Sequence, residues 1–410
     1  MTHYAVPYGD SEMQFEIPYG ADVADTILPE RAAAELHVPK LDTGDCSRAL
    51  IIFTDATRHS PDRWFVDKIL AALPLPPENI EFMCALGMHR PSTRAEKIEK
   101  LGQDIIERYS VIDHDPAAVV TVGEIDGIPV EVHPKLVEPG TFLIMTGVVE
   151  PHQYAGYSGG AKTAVIGCGG TTTISLTHGP VMLNREGVRL GVIDGNPFQQ
   201  FVRKAGEMIG VNLVANAVMP APELITHAAV GDVSVHDALV AEARKLYETP
   251  VPNAPYDIVV AGVGAPKDVN LYQASRAATY IGLSGTPVLR EGGVLIVPAT
   301  LPEGAGEGAG EKNFFEVLRR FKPTPALIEY LNEKGCRPGE QRAYMIALME
   351  AKYTCIMVGA ENPSVVTDTG LHHAESVSTA LEAAARLLKI RQPKVLIVPH
   401  ALKTLPAPTQ

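Results

Sequence analysis

Three short segments of this 410-residue chain gather side chains able to move protons, grip anions or form covalent bonds. They are Asp55-Ala56-Thr57-Arg58, Gly87-Met88-His89-Arg90, and the stretch from Glu150 through His152 to Lys162. Imidazole is the usual acid or base near neutral pH, so His89 and His152 are candidate proton carriers. Asp55 could orient one of them by accepting its second ring N–H. Lys162 follows Ser158-Gly159-Gly160, a turn whose glycines let backbone approach a ligand and whose N–H groups could cradle an anion. A desolvated lysine amine is a nucleophile, which makes Lys162 a candidate covalent anchor or phosphate contact. Each residue alone has an ordinary reading: a surface lysine past a turn, a satisfied histidine, a capping aspartate beside a surface arginine. What favours chemistry is that all three segments follow apolar strand-like runs.

Other signals are weaker. His178 precedes Gly179-Pro180 and suits a helix C-cap; no HxH or HExxH accompanies it to argue for a metal. In Tyr272-Gln273-Ala274-Ser275-Arg276, Gln273 and Arg276 stand three apart and would share a helix face. Facing a cleft they could bind a hydroxy-carboxylate; facing water they are a solvated pair. Gly262-Val263-Gly264 lacks the third glycine of a dinucleotide fingerprint. The glycine-rich segment 304–310 lacks the Lys-Ser/Thr of a phosphate loop and reads as a mobile loop or lid. His372-His373 reads as a polar turn.

The elements that must position these groups alternate between strand and helix. Residues 49–54, 80–85 and 142–149 are short apolar runs, as in buried parallel strands. Residues 119–132 hold two strands about Asp126-Gly127, a hairpin signal. Helical spacing covers 61–73, with Ser60 as cap, and 92–100, 196–208 and 233–247. After a proline-rich break at 250–255, strands are expected at 258–261, 293–297, 354–358 and 394–399, with helices at 314–321, 343–351 and 377–388. The expected fold is α/β: two α/β domains, residues 1–252 and 253–410, with largely parallel sheets and an interdomain active-site cleft.

Composition narrows the function. With 35 Lys plus Arg against 48 Asp plus Glu, the net charge of -13 disfavours nucleic acid or an anionic membrane as partner. A local basic pocket remains compatible. No apolar run approaches the roughly 18 residues of a membrane helix, and the first ten residues lack the cations of a secretory signal. The expectation is a cytoplasmic protein. Five scattered cysteines without a CxxC pair give no disulfide framework or zinc site.

Taken together, these residues resemble the lactate racemase family, the nickel-pincer nucleotide enzymes. Residues 149–162 (VEPHQYAGYSGGAK) are similar to that family's signature. The intervals of 10 residues from His152 to Lys162 and 16 from Lys162 to His178 match its catalytic His, tethering Lys and nickel-binding His. Asp55-x-x-Arg58, Gly87-x-His89-Arg90, Tyr272-Gln273-x-x-Arg276 and Glu303-Gly304-Ala305-Gly306 fall in the family's order. The resemblance implies a racemase or epimerase of a 2-hydroxy acid that removes and returns hydride. It implies a pyridinium-3,5-bisthiocarboxylic acid mononucleotide carrying nickel, bound covalently to Lys162, with His178 as the protein's nickel ligand. It implies His89 and His152 as acid and base on opposite sides of the substrate, and Arg58, Tyr272, Gln273 and Arg276 as substrate grips. Separate cofactor-biosynthesis proteins are implied partners. Beyond what the resemblance implies, the turn Ser158, Gly159 and Gly160 is expected to form part of the phosphate cradle.

Two departures bear on the substrate. The family's enzyme for lactate carries Lys where Arg276 stands, which changes reach and fork geometry. A family Trp is replaced by Gln341, implying a roomier or more polar pocket. A larger substrate follows as an expectation, a dicarboxylic hydroxy acid or a sugar acid. The rival readings are a 2-hydroxy acid dehydrogenase, a Lys Schiff-base enzyme, and a non-catalytic hydroxy-acid-binding protein.

Overall fold

Wholly apolar strands are stable only in sheets covered on both faces. Two such sheets organise the computed structural model, which describes residues 2–29 and 35–409. The first has the spatial order His227–Gly231, Leu213–Val218, Thr141–Val148, Arg48–Thr54, Ile80–Ala85, Ser110–Asp113. All neighbours are parallel except the antiparallel edge strand His227–Gly231. The second is parallel throughout, in the order His372–Ala374, Thr354–Val358, Leu289–Pro298, Tyr256–Ala261, Val395–Val398, Asp22–Val23. Asp126 and Gly127 both have positive φ, +51° and +81°, the primed turn that joins Val120–Ile125 to Ile128–Val132.

Parallel order is what brings the chemistry together. The strands Thr141–Val148, Arg48–Thr54 and Ile80–Ala85 are direct neighbours. Their C-terminal ends therefore lie side by side at one edge, each a strand spacing of about 5 Å from the next. Asp55, Leu86 to His89 and Glu150 leave from that edge. The two halves share one apolar core, which runs from Ile52 and Met145 to Ala261, Leu295 and Tyr344. Polar contacts also join them: Gln153 Nε2 donates to Thr279 Oγ1 at 3.1 Å, and Tyr344 OH to Asn184 Oδ1 at 2.7 Å.

Three sequence expectations are corrected. The first domain does not begin at the N-terminus. The hairpin Thr2–Tyr8 and Ser11–Ile17 buries Val6, Phe15 and Ile17 against the second sheet, and Asp22–Val23 extends that sheet. The proline-rich break is partly strand: Glu248–Val251 pairs in parallel with Leu405–Pro408. Both regions are short and polar-edged, so only long-range pairing defines them. Ser60 does not cap the helix Asp62–Ala72; its hydroxyl instead contacts the carboxylate of Asp62, a buried group paired with Lys100 at 2.6 Å.

Candidate functional site

Asp55 is buried at the end of its strand and accepts from His89 Nδ1 at 2.6 Å. Its other oxygen accepts from the Thr57 backbone at 3.2 Å and hydroxyl at 2.6 Å. Burial alone would raise its pKa, but the His89 and Thr57 hydrogen bonds outweigh it and hold the carboxyl below its usual value. An ionised carboxylate on Nδ1–H leaves the Nε2 lone pair of a half-exposed His89 free to accept a proton. Three residues on, Arg58 Nη1 meets Glu150 Oε1 at 3.1 Å, bridging two strand ends.

His152 is wired the opposite way. Its Nδ1 accepts from the backbone N–H of Tyr154 at 3.3 Å and Ala155 at 3.1 Å, so the neutral ring carries its proton on Nε2. Burial, then the nearby cations Lys162, Arg58 and Arg276, push its pKa well down and keep it neutral. The turn after it faces inward. Ser158 Oγ donates to Val148 O at 2.8 Å, and Gly160 N–H to Asn216 Oδ1 at 2.7 Å. A Cβ on Gly159, at φ +93°, would stand 2.8 Å from that same oxygen. These groups are already engaged, which counts against the expected phosphate cradle at Ser158, Gly159 and Gly160. What the turn does is start the short helix Lys162–Val165 in a fixed place.

Lys162 makes no ion pair among the described residues. Burial, then Arg58, pull its pKa down to about 7, with Glu150 opposing weakly. A large share of its amine is therefore neutral at pH 7.5. In unloaded protein, acylation at pH 7 to 8 is expected to label Lys162 ahead of exposed lysines. Peptide mass spectrometry across pH should give a half-point near 7; one near 10.5 rejects the burial argument.

His178 ends the helix Thr171–Thr177 and is packed between Phe198 and Tyr154, with ring centroids 5.2 and 5.5 Å away. Burial, then Lys162, pull its pKa down to about 3. Its Nδ1 lies 3.1 Å from the Ile174 carbonyl; donating there leaves Nε2 as a free, neutral ligand atom. Across the cleft, Gln273 and Arg276 occupy consecutive short helices, Leu271–Ala274 and Arg276–Gly282, rather than one. They are tied directly, Arg276 Nη2 to Gln273 Oε1. Tyr272 stacks edge-on against Phe314 at 5.4 Å and lies beneath the Arg342 guanidinium, 4.5 Å from its ring centre.

Residues 38–191 match the lactate racemase N-terminal domain model, and residues 251–405 its C-terminal domain model. The chain belongs to the lactate racemase family. A curated lactate racemase of Thermoanaerobacterium thermosaccharolyticum is 24% identical over 434 residues, covering 99% of both chains. That of Lactiplantibacillus plantarum is 26% identical over 364 residues, covering 86% of this chain and 83% of its own. The solved lactate racemase apoprotein of the former organism has this fold, with TM-score 0.85, 22% identity and coverage of 99% and 100%.

This racemase is thus an isomerase. Asp55 with His89, and Arg58 with the Glu150 that precedes His152, come together at one strand edge, while Lys162 and Arg276 act electrostatically on His152 and His178 shares its Phe198 packing. Sequence reasoning missed Glu150 as the partner of Arg58, Asn216 as the brace of the glycine turn, and Arg342 over Tyr272. Arg342 had one available signal: it adjoins Gln341, the position singled out for its missing Trp. Gln341 itself lies inside the helix Glu340–Glu350, which starts one turn earlier than expected.

Proposed function

We propose that this racemase inverts C2 of a 2-hydroxy acid, using a nickel-bearing pyridinium mononucleotide held on Lys162. The observation that carries the reading is the depressed, unpaired Lys162 amine in the same site as a neutral His178 with a free Nε2. A neutral amine is what a covalent tether needs, and a neutral imidazole nitrogen is what nickel takes. Among the described residues no group of three or more His, Cys, Asp or Glu could hold a metal. The residues fit the cofactor, and the chemistry it supplies when bound is reversible acceptance of hydride from the substrate carbon. Loading by separate cofactor-making proteins, in the cytoplasm, belongs to the same proposal; no helix among the described residues is long and apolar enough to cross a membrane.

The chain's own residues then have distinct tasks. Arg58 offers a two-pronged fork to the substrate carboxylate in exchange for Glu150. His89 Nε2 takes the hydroxyl proton as C2 becomes planar, because Asp55 holds the ring's other N–H. The Nε2–H of His152 hydrogen-bonds the oxygen from another side and polarises it while remaining neutral. Gln273 holds Arg276 at the far wall. The two imidazoles are thus preset as acceptor and donor, rather than as equivalent partners.

The test is a panel of enantiopure 2-hydroxy acids with cofactor-loaded protein, read by chiral chromatography beside intact mass and nickel content. Lactate, named in the relatives, is the reference substrate. Either hand of the true substrate should relax to an equal mixture, with an adduct on the Lys162 peptide and nickel bound. Turnover by protein with bare Lys162 rejects the proposal. Accumulation of an oxo acid with consumption of free NAD selects a dehydrogenase instead.

A further inference from the structure

Arg342 stands in the first turn of the helix Glu340–Glu350, the end whose dipole repels a cation. Its Nε and Nη1 are buried without a hydrogen-bond partner among the described residues. The neighbouring carboxylate, Glu340, is occupied by Arg337 at 2.8 Å. No carboxylate among the described residues forms an ion pair with Arg342, Arg276 or Lys267. Tyrosines surround the guanidinium instead: Tyr272 beneath it, with Tyr154 and Tyr280 close enough to influence it.

Arg342 is not isolated from the other cations. Arg276, held below its ordinary value by burial and then by Arg342, spends Nε and Nη2 on Gln273 and has no hydrogen bond at Nη1. Lys267 is lowered by burial, then by Arg276 and Arg58. Arg58, Arg276, Arg342 and Lys267 therefore lie close enough to influence one another, beside Lys162, in a chain whose net charge is -13; among the described residues Glu150 and Asp55 are the carboxylates that oppose them. Burying a guanidinium with open donors and no counter-charge destabilises a fold unless a ligand completes it. One substrate carboxylate satisfies the fork of Arg58 on the first domain. It leaves the Arg276 and Arg342 pair on the second domain unanswered.

We infer that the substrate carries a second carboxylate: it is a 2-hydroxy dicarboxylate that spans the cleft, one end on Arg58 and the other on Arg342 with Arg276. This rests on the racemase reading of the same site and names its substrate class. It accounts for two features together, a cationic far wall and the absence of a bulky apolar side chain at Gln341. The other anion that would suit these arginines is the phosphate of the nucleotide, and the experiment separates the two.

The ratio of kcat/KM for malate to that for lactate is measured by chiral chromatography on loaded protein, for wild type and for Arg342→Met and Arg342→Lys. Wild type should favour malate by roughly 100-fold or more, since a site built for a polar group strongly rejects analogues lacking it. Arg342→Met should reduce that ratio about 100-fold, mainly through KM, and Arg342→Lys should restore part of it. The Lys162 adduct mass and nickel content should not change in either variant. Titration calorimetry of unloaded protein should show malate binding in wild type and its loss in Arg342→Met. A wild type preferring lactate, or a ratio that Arg342→Met leaves unmoved, overturns the inference. So does loss of the Lys162 adduct in Arg342→Met, which would assign the arginine to the phosphate. Should Arg342→Met fail to fold, Arg342→Lys carries the comparison. Should loaded wild type turn over no hydroxy acid, the racemase reading fails, and the malate titration alone decides this one.

Discussion

Lys162→Ala is expected to remove all measurable racemisation, a loss on the order of 10⁶-fold or more, because the step that breaks the C2–H bond has no acceptor without the tether. Lys162→Arg should fare no better. Arginine keeps the charge but stays protonated and presents no neutral amine. Neither variant should show a mass adduct at position 162 after co-expression with the cofactor-making proteins. Both should fold. The folded-state pKa of Lys162 is lowered to about 7 against an ordinary 10.5, so the unfolded chain binds more protons between those values. Stability of the unloaded wild type should therefore rise with pH through that window, and Lys162→Ala should remove that part of the slope in thermal melts. Racemisation above about one per cent of wild type by Lys162→Ala, co-expressed with the cofactor-making proteins, would defeat the tether.

The second large effect belongs to Asp55. Asp55→Asn should lower kcat about 10³-fold, in the range found when the orienting acid of a catalytic histidine is made an amide. The amide NH₂ would face His89 Nδ1 and place the ring proton on Nε2, where the base is needed. The Lys162 adduct and nickel content should be unchanged, which separates a lost proton acceptor from a lost cofactor. Stability provides a further check. The Asp55 pKa is lowered in the fold, so its stabilisation is present above the ordinary carboxylate value and disappears as pH falls through the folded value. Asp55→Asn should thus lose stability near neutrality and less so in strong acid. A near-wild-type kcat in Asp55→Asn would mean that His89 does not act through it.

Much of the fold is legible because local pattern and tertiary environment agree. The run Ala49 to Thr54 is apolar on both sides, so it suits a strand covered on both faces, and it lies at the centre of its sheet. Asp126-Gly127 needs two positive φ angles, and Asp followed by Gly tolerates them. Thr93 with Glu96 forms a reciprocal cap, a signal contained within four residues. The N-terminal hairpin and the strands Glu248–Val251 and Leu405–Pro408 were not legible. Their partners lie far away in sequence, and a short, half-polar strand has no periodicity to separate it from a loop.

For the site, residue type and position nominated Asp55, Arg58, His89, His152, Lys162, Gln273 and Arg276, and the family resemblance added His178. Side-chain chemistry limits what such groups can do, and parallel strands deliver successive loops to one edge. Tertiary structure decided how each would act. The two imidazoles are identical in the sequence, yet one leaves Nε2 bare because a carboxylate faces Nδ1, while the other carries its proton there because two backbone N–H groups do. Lys162 and Arg342 are ordinary cations until burial denies them water and packing denies them partners. Protonation and pairing depend on which distant groups arrive within a few ångströms, and that is settled only when the chain closes on itself.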